Sequence, residues 1–260
     1  MCRVEGVVMN QNSLVVALAQ IPVIDGDTEA NFRQHVKAAK TAAEQGADLI
    51  LFPELSLTGY VLPMAAELCF DSKHSILRDL SELAVTQQIT IVAGCFLKQA
   101  KKKPSISAVI CKPTGELDYY AKQYLHSGEN EYCSEGQHNY TIRLKGYKLA
   151  LAICADFTQP IHSSEAAEDE ADVYLVSALL SPNGYEADAE LLARIGKQHR
   201  FPVLLANHIS ETGGWQTAGN NAVWSGKGNL RFATETTDPV LGMVEITGNR
   251  ISGQLYPLEN

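Results

Sequence analysis

The sequence has no CxxC pair, and its six cysteines are scattered: Cys2, Cys69, Cys95, Cys111, Cys133 and Cys154. In 260 residues that is not a disulfide scaffold. Several sit in apolar runs, such as Ile91 to Phe96, where a thiol is most often a small buried hydrophobe. The seven histidines (His35, His74, His126, His138, His162, His199 and His208) show no metal-ligand spacing, so no metal is expected. No apolar run approaches the ~20 residues of a membrane helix. Residues 1–12 lack an apolar core followed by a cleavage site. They read as a short polar lead-in and not a signal peptide, and a cytoplasmic location is expected. Basic residues are also scarce, 21 Lys and Arg against 30 Asp and Glu, for a formal net charge of −9. This argues against a nucleic-acid backbone as partner. The one strong basic run, Lys101-Lys102-Lys103, reads as a solvated hairpin tip. Gly and Pro are not in excess, and there is no linker, low-complexity tract or exact repeat. One domain over residues 13–260 is therefore expected.

What the sequence does have is 45% apolar residues in short, regularly spaced runs. Leu14 to Ile21 is rich in β-branched and aliphatic residues and reads as a buried strand. Asp25-Gly26-Asp27 is turn chemistry, with Asp27 or Thr28 as a helix cap. Phe32, Val36, Ala39 and Ala43 then mark one helical face. Gly46 ends that helix, and residues 47–52 form a second buried strand, completing a βαβ unit. A helix over 75–87 and a strand over 89–95 follow. Residues 108–112 and 117–121 flank Pro113-Thr114-Gly115 as a hairpin. Further strands are predicted at 147–153, 173–176, 202–207, 222–224, 232–233 and 242–246, with a helix at 188–199. The acidic stretch from Glu165 to Asp172 reads as a solvated helix face. The class is α/β, and the strands are too many for one compact sheet, so two sheets are expected.

Three reactive side chains each stand just past the end of a predicted strand, where sites gather in open α/β sheets. Glu54 lies in the almost wholly apolar run from Leu49 to Tyr60. There it is either a loop carboxylate after Pro53 or a buried one with a raised pKa, suited to proton transfer near neutral pH. Lys122 follows the hairpin. It is either a strand-edge lysine or a cation fixed near a carbonyl oxygen. Cys154 ends the run Leu149 to Ile153. It is either a structural thiol or a nucleophile, with the backbone N–H of Ala155 facing the same spot.

Taken together, these segments resemble the nitrilase (carbon–nitrogen hydrolase) superfamily, in its amidase-like branch. The resemblance starts at Ala17-Leu18-Ala19-Gln20, with Gly26-Asp27 and Asn31, and runs through Gly46 to Tyr60 (GADLILFPELSLTGY). It continues at Tyr120 to Leu125 (YAKQYL), at Glu129 with Gly136 seven residues on, and at Ile153-Cys154-Ala155-Asp156. It closes with Pro202 to Asn207 and with Gly213-Gly214-Trp215 and Ala218 to Trp224. It spans nearly the whole chain, residues 14–247.

The resemblance implies a four-layer α-β-β-α sandwich and hydrolysis of a small linear amide to carboxylate and ammonia or amine. It implies a Glu-Lys-Cys triad. Glu54 is the general base and acid, Cys154 the nucleophile, and Lys122 with the Ala155 N–H the holders of the oxyanion. Glu129 is the supporting glutamate, with Glu131 as its competitor. Tyr60, Phe157 and Leu180 are candidates for the substrate pocket, as are Gln159 and Tyr185. Cys133 and Ser134-Glu135-Gly136 depart from the usual residues of that loop, and the departure is expected to touch the pocket wall. No cofactor is implied, and the partners implied are a small-molecule amide and further copies of the chain, as a homodimer or larger. Three other readings stand beside this one. They are nitrile hydrolysis by the same triad, a non-catalytic binding protein, and an unrelated Cys–His enzyme using His162 or His208.

Overall fold

A computed structural model describes residues 13–258. The predicted lead-in and Cys2 lie outside the described residues. In chain order the elements begin with β1 (Leu14–Gln20), α1 (Thr28–Glu44), β2 (Leu49–Leu51), α2 (Ala65–Leu68), α3 (Ser75–Gln87) and β3 (Thr90–Leu97). Then come β4 (Ser105–Cys111), β5 (Leu117–Ala121), β6 (Thr141–Leu144), β7 (Tyr147–Ile153), α4 (Pro160–Glu168) and β8 (Val173–Ala178). The chain closes with α5 (Tyr185–His199), β9 (Val203–Asn207), β10 (Ala222–Trp224), β11 (Leu230–Ala233), β12 (Val240–Thr247) and β13 (Arg250–Pro257).

These strands make two sheets. The first has the order β13-β12-β1-β2-β3-β4-β5 and the second β11-β10-β9-β8-β7-β6. Each is parallel at its centre, β1-β2-β3 in one and β7-β8-β9 in the other, and antiparallel toward both edges. The period-2 alternation of strands decides the layers. On β1, Leu14, Val16 and Leu18 pack between the sheets with Leu149, Leu151, Ile153 and Leu175. Ala17, Ala19 and Ile21 face the opposite way, against α1 and α3. On the far side, Ala150, Ala152, Tyr174 and Val176 pack beneath α4 and α5 with Leu192 and Ile195. The result is the α-β-β-α sandwich. Ser177 Oγ donates to the Phe52 carbonyl at 2.8 Å, and Asn221 Nδ2 to the Leu18 carbonyl at 3.2 Å, so polar bonds cross between the sheets as well.

Several predicted elements change at their ends. Asp27, not Thr28, caps α1, accepting from the Ala30 N–H at 2.9 Å. The most buried face of α1 is Asn31, His35, Ala38, Ala39 and Ala42, while Phe32, Val36 and Ala43 lie at its margins. The apolar spacing misplaced this face because two of its members are polar. Asn31 donates to the Ile24 and Leu57 carbonyls. His35 bonds the Asn31 carbonyl at 2.7 Å and Ser56 Oγ at 2.9 Å. Burial holds its imidazole down at about 4, so it is neutral. Strands β6 and β13 were not predicted. Both are edge strands, and β13 is mostly exposed, so neither carries a two-sided apolar run. Strand β4 begins at Ser105, three residues early, because Ser105 and Ser107 are buried and satisfy each other at 2.7 Å. The lysines 101–103 are exposed in the β3–β4 turn. The acidic stretch is helical only to Glu168, and Asp169 pairs with Lys148 Nζ at 2.7 Å. Among the described residues no helix is long and apolar enough to cross a membrane.

Candidate active site

Glu54 is placed by the tight turn that follows β2. Leu55 takes a left-handed φ of 51°, and the turn closes with Gly59 N–H donating to the Leu55 carbonyl at 2.8 Å. The turn rests on β3 at Gly94. A Cβ there would stand 2.2 Å from the Leu55 nitrogen and 2.6 Å from the Pro53 carbonyl oxygen, so only glycine permits the contact. On the other side His208 Nε2 donates to the Glu54 carbonyl at 2.5 Å.

Lys122 begins the loop after β5. Its backbone accepts from Gly136 N–H at 2.7 Å, and its side chain is wholly buried. The ammonium bridges two buried carboxylates, Glu54 Oε1 at 2.7 Å and Glu129 Oε1 at 2.7 Å. Glu129 is held in turn by the Tyr60 hydroxyl at 2.7 Å and the His126 N–H at 2.7 Å. The choice between Glu129 and Glu131 is thereby decided as geometry, since Glu131 is exposed.

Cys154 opens a short 3-10 turn at the end of β7, with a left-handed φ of 44°. A non-glycine residue there costs on the order of 1–3 kcal/mol and turns its side chain out of the strand direction. Its Sγ lies 3.8 Å from the Leu179 carbonyl. Asp156, two residues on, joins this turn to the Lys122 loop. Its Oδ1 accepts from the N–H groups of Gln123 and Tyr124, and its Oδ2 from Ile153 N–H and the Tyr120 hydroxyl. A buried carboxylate with four donors is fully satisfied, so it acts as a rigid clamp. The sequence reading missed this role, although a carboxylate two residues after an apolar strand was its visible signal.

The site's electrostatics follow from burial. Desolvation pushes the Glu54 carboxyl up to about 7, against the opposing pull of Lys122. Its second oxygen, Oε2, is buried without a hydrogen-bond partner among the described residues. Desolvation acts to lower the Lys122 pKa, but Glu54, Cys154 and Glu129 outweigh it and hold the ammonium above its usual range. Burial, reinforced by Glu54, pushes the Cys154 thiol up, with Lys122 opposing. The resting pair is therefore a thiol beside a carboxyl that titrates near neutrality.

A cavity of about 310 Å³ opens over these groups, and Glu54, Glu129, Cys154 and Ala155 are in its wall. Tyr60, Phe157 and Leu180 line it too. So do Trp215, Asp188 and Ser181, which the sequence reading did not single out for the pocket. Gln159 and Tyr185 are not in the wall. Gln159 is exposed, and the Tyr185 hydroxyl donates to the Asn220 carbonyl at 2.6 Å. Cys133 corrects an expectation as well. It packs in the core between the sheets and not on the cavity, and Gly136 beside it serves to let the loop touch Ala121. Neither His162 nor His208 lines the cavity. His162 is taken up by the hydroxyls of Tyr120 and Tyr174.

The family description carbon-nitrogen hydrolase matches residues 15–250. The chain belongs to this family. Among its carbon–nitrogen hydrolase relatives, an (R)-stereoselective amidase from Pseudomonas sp. is 27% identical over 73% of this chain and 69% of its own length. A glutamine-dependent NAD(+) synthetase from Thermotoga maritima is 27% identical over 70% of this chain but only 32% of its own length. A solved amidase from Nesterenkonia sp. AN1, a mutant carrying the acetamide moiety of fluoroacetamide on its active-site cysteine, superimposes with a TM-score of 0.83. It is 24% identical, with 93% of each chain covered, and shows the shared sandwich.

Proposed function

We propose that this carbon–nitrogen hydrolase cleaves small amides through a thioester on Cys154. One observation carries the reading. Lys122 is held by two buried carboxylates at 2.7 Å each, and the wall of one cavity holds both carboxylates and the Cys154 thiol. A fixed cation and a carboxyl raised by burial around a thiol are the parts acyl transfer needs. The amidases among the similar proteins support the substrate class.

Glu54 takes the proton of Cys154 as the sulfur attacks the amide carbon. The carbonyl oxygen becomes an oxyanion, held by Lys122 Nζ and the Ala155 N–H. The intermediate collapses, the carbon–nitrogen bond breaks, and Glu54 returns its proton to the departing nitrogen as ammonia or amine. Water, deprotonated by Glu54, then attacks the thioester. The carboxylic acid leaves and the thiol is restored. Glu129 touches no reacting atom in this scheme. It is a positioning residue that fixes Lys122. Tyr60, Phe157 and Leu180 shape the pocket.

The same reading places the protein in the cytoplasm, as one domain and a homodimer or larger homo-oligomer. The free thiols at the five described cysteines support a reducing compartment. Ammonia release from butyramide tests the function. Cys154→Ala is expected to lower it by at least about a thousandfold, and mass spectrometry of the wild type to show an acyl adduct on the Cys154 peptide. Equal turnover by the variant, or turnover of butyronitrile alone, would overturn the proposal.

A further inference from the structure

Beyond Glu54 and Glu129 the cavity wall carries one further carboxylate, Asp188, and one imidazole, His126. Asp188 enters it from the first turn of α5, half-buried. Apart from Lys122, whose ammonium is bridged by Glu54 and Glu129, no Lys or Arg stands at the site. Among the described residues nothing ion-pairs with Asp188 or donates to its carboxylate, and burial alone raises its pKa. Its neighbour Glu186 is exposed, so an acid that favours the helix N-terminus is already present without Asp188 facing the cavity.

A second feature stands on the same wall. Trp215 lies on the rim with about half its surface (47%) exposed. Its loop is firmly tied. Asp25 accepts from Gly213 N–H at 2.9 Å and from the Thr212 hydroxyl, and Thr212 Oγ1 accepts from Tyr60 N–H at 2.8 Å. Gly213 has a φ of 57°, and a Cβ there would stand 2.0 Å from the Tyr60 carbonyl oxygen. A large apolar ring is thus held partly in water on a fixed support. An indole face and a carboxylate are the two groups that attract an organic cation.

We infer that Asp188, with Trp215, selects amides whose far end carries a positive charge, so that the preferred substrate is an ω-amino (or guanidino) linear amide. This rests on the amidase reading of the same site. An ω-carboxylate substrate would meet carboxylates and no Lys or Arg in this wall, with the His126 imidazole as its one basic group, and a neutral alkyl amide would leave Asp188 without a partner. Asp188 is a specificity-determining residue here, not a catalytic one.

Matched straight-chain amides of equal length test it, in three series ending in ammonium, methyl and carboxylate. The wild type is expected to show kcat/KM highest for the ammonium series, by about tenfold or more over methyl, and lowest for carboxylate. Asp188→Asn should bring the ammonium-to-methyl ratio close to one, mainly through KM. Asp188→Glu should keep the preference, and Asp188→Lys should shift it toward the carboxylate series. A wild type that hydrolyses all three series alike, or an unchanged ratio in Asp188→Asn, overturns the selectivity and leaves the amidase reading standing. If no series releases ammonia, both fall.

Discussion

At the scale of single residues, burial raises both the Glu54 carboxyl and the Cys154 thiol. Glu54 is raised to about 7 because burial outweighs the attraction of Lys122. Cys154 is raised by the same burial, so no thiolate waits at neutral pH. In the proposed mechanism, proton transfer accompanies attack and the carboxylate form of Glu54 is the competent one. Since that form is lost as pH falls through about 7, kcat/KM should drop by about tenfold per pH unit below that point and level off above it. A steady-state profile that stays flat through that region would remove Glu54 as the base. Glu54, Lys122 and Cys154 each stand just past a predicted strand, and it was the family resemblance that brought them together as candidates. Asp188 and Trp215 were not visible as pocket residues. A carboxylate in a helix's first turn and a Trp after two glycines read equally well as surface features.

At the scale of elements, the site depends on turns that only glycine or a left-handed backbone can make. The Glu54 turn lies directly on β3 at Gly94. Gly94→Ala must push that turn away, which destabilises by about 1–3 kcal/mol. A shift near 1 Å in a catalytic group costs on the order of a hundredfold in rate. The expected outcome is a folded variant, by circular dichroism, with kcat reduced at least tenfold and a lower melting temperature. Wild-type kcat in that variant would show that the contact does not set the position of Glu54. The central strands were legible because burial on both faces makes an unbroken apolar run. Edge strands β6 and β13 were hidden for the converse reason, and the polar face of α1 was hidden because Asn31 and His35 are buried through hydrogen bonds.

At the scale of the whole molecule, the two ends of the described chain meet in one sheet. β12 pairs with β1 along seven residue pairs from Leu14–Ile246 to Gln20–Val240. The sheets share one apolar core, and Tyr120, Asp156 and Ser177 bond across the layers. The layers beneath α1 and α3 and beneath α4 and α5 flank that shared core on either side. Fluorescence of Trp215 and Trp224 and far-ultraviolet circular dichroism should therefore report one coincident urea transition. Two separated transitions would divide the chain into independent units and end the single-domain proposal.

The sequence alone determined the α/β class and the buried strands, while the nomination of Glu54, Lys122 and Cys154 rested on the family resemblance. Class and strands depend on local apolar runs, which the order of amino acids states directly. Tertiary structure decided that Glu129 and not Glu131 joins Glu54 on Lys122, that Asp156 clamps the Cys154 turn to the Lys122 loop, that Cys133 belongs to the core, and which side chains line the cavity. Each of these is a contact between residues far apart in the chain, such as Tyr60 with Glu129 or Tyr120 with Asp156. Such a contact exists only once two sheets have stacked, and no local pattern encodes the distance it closes.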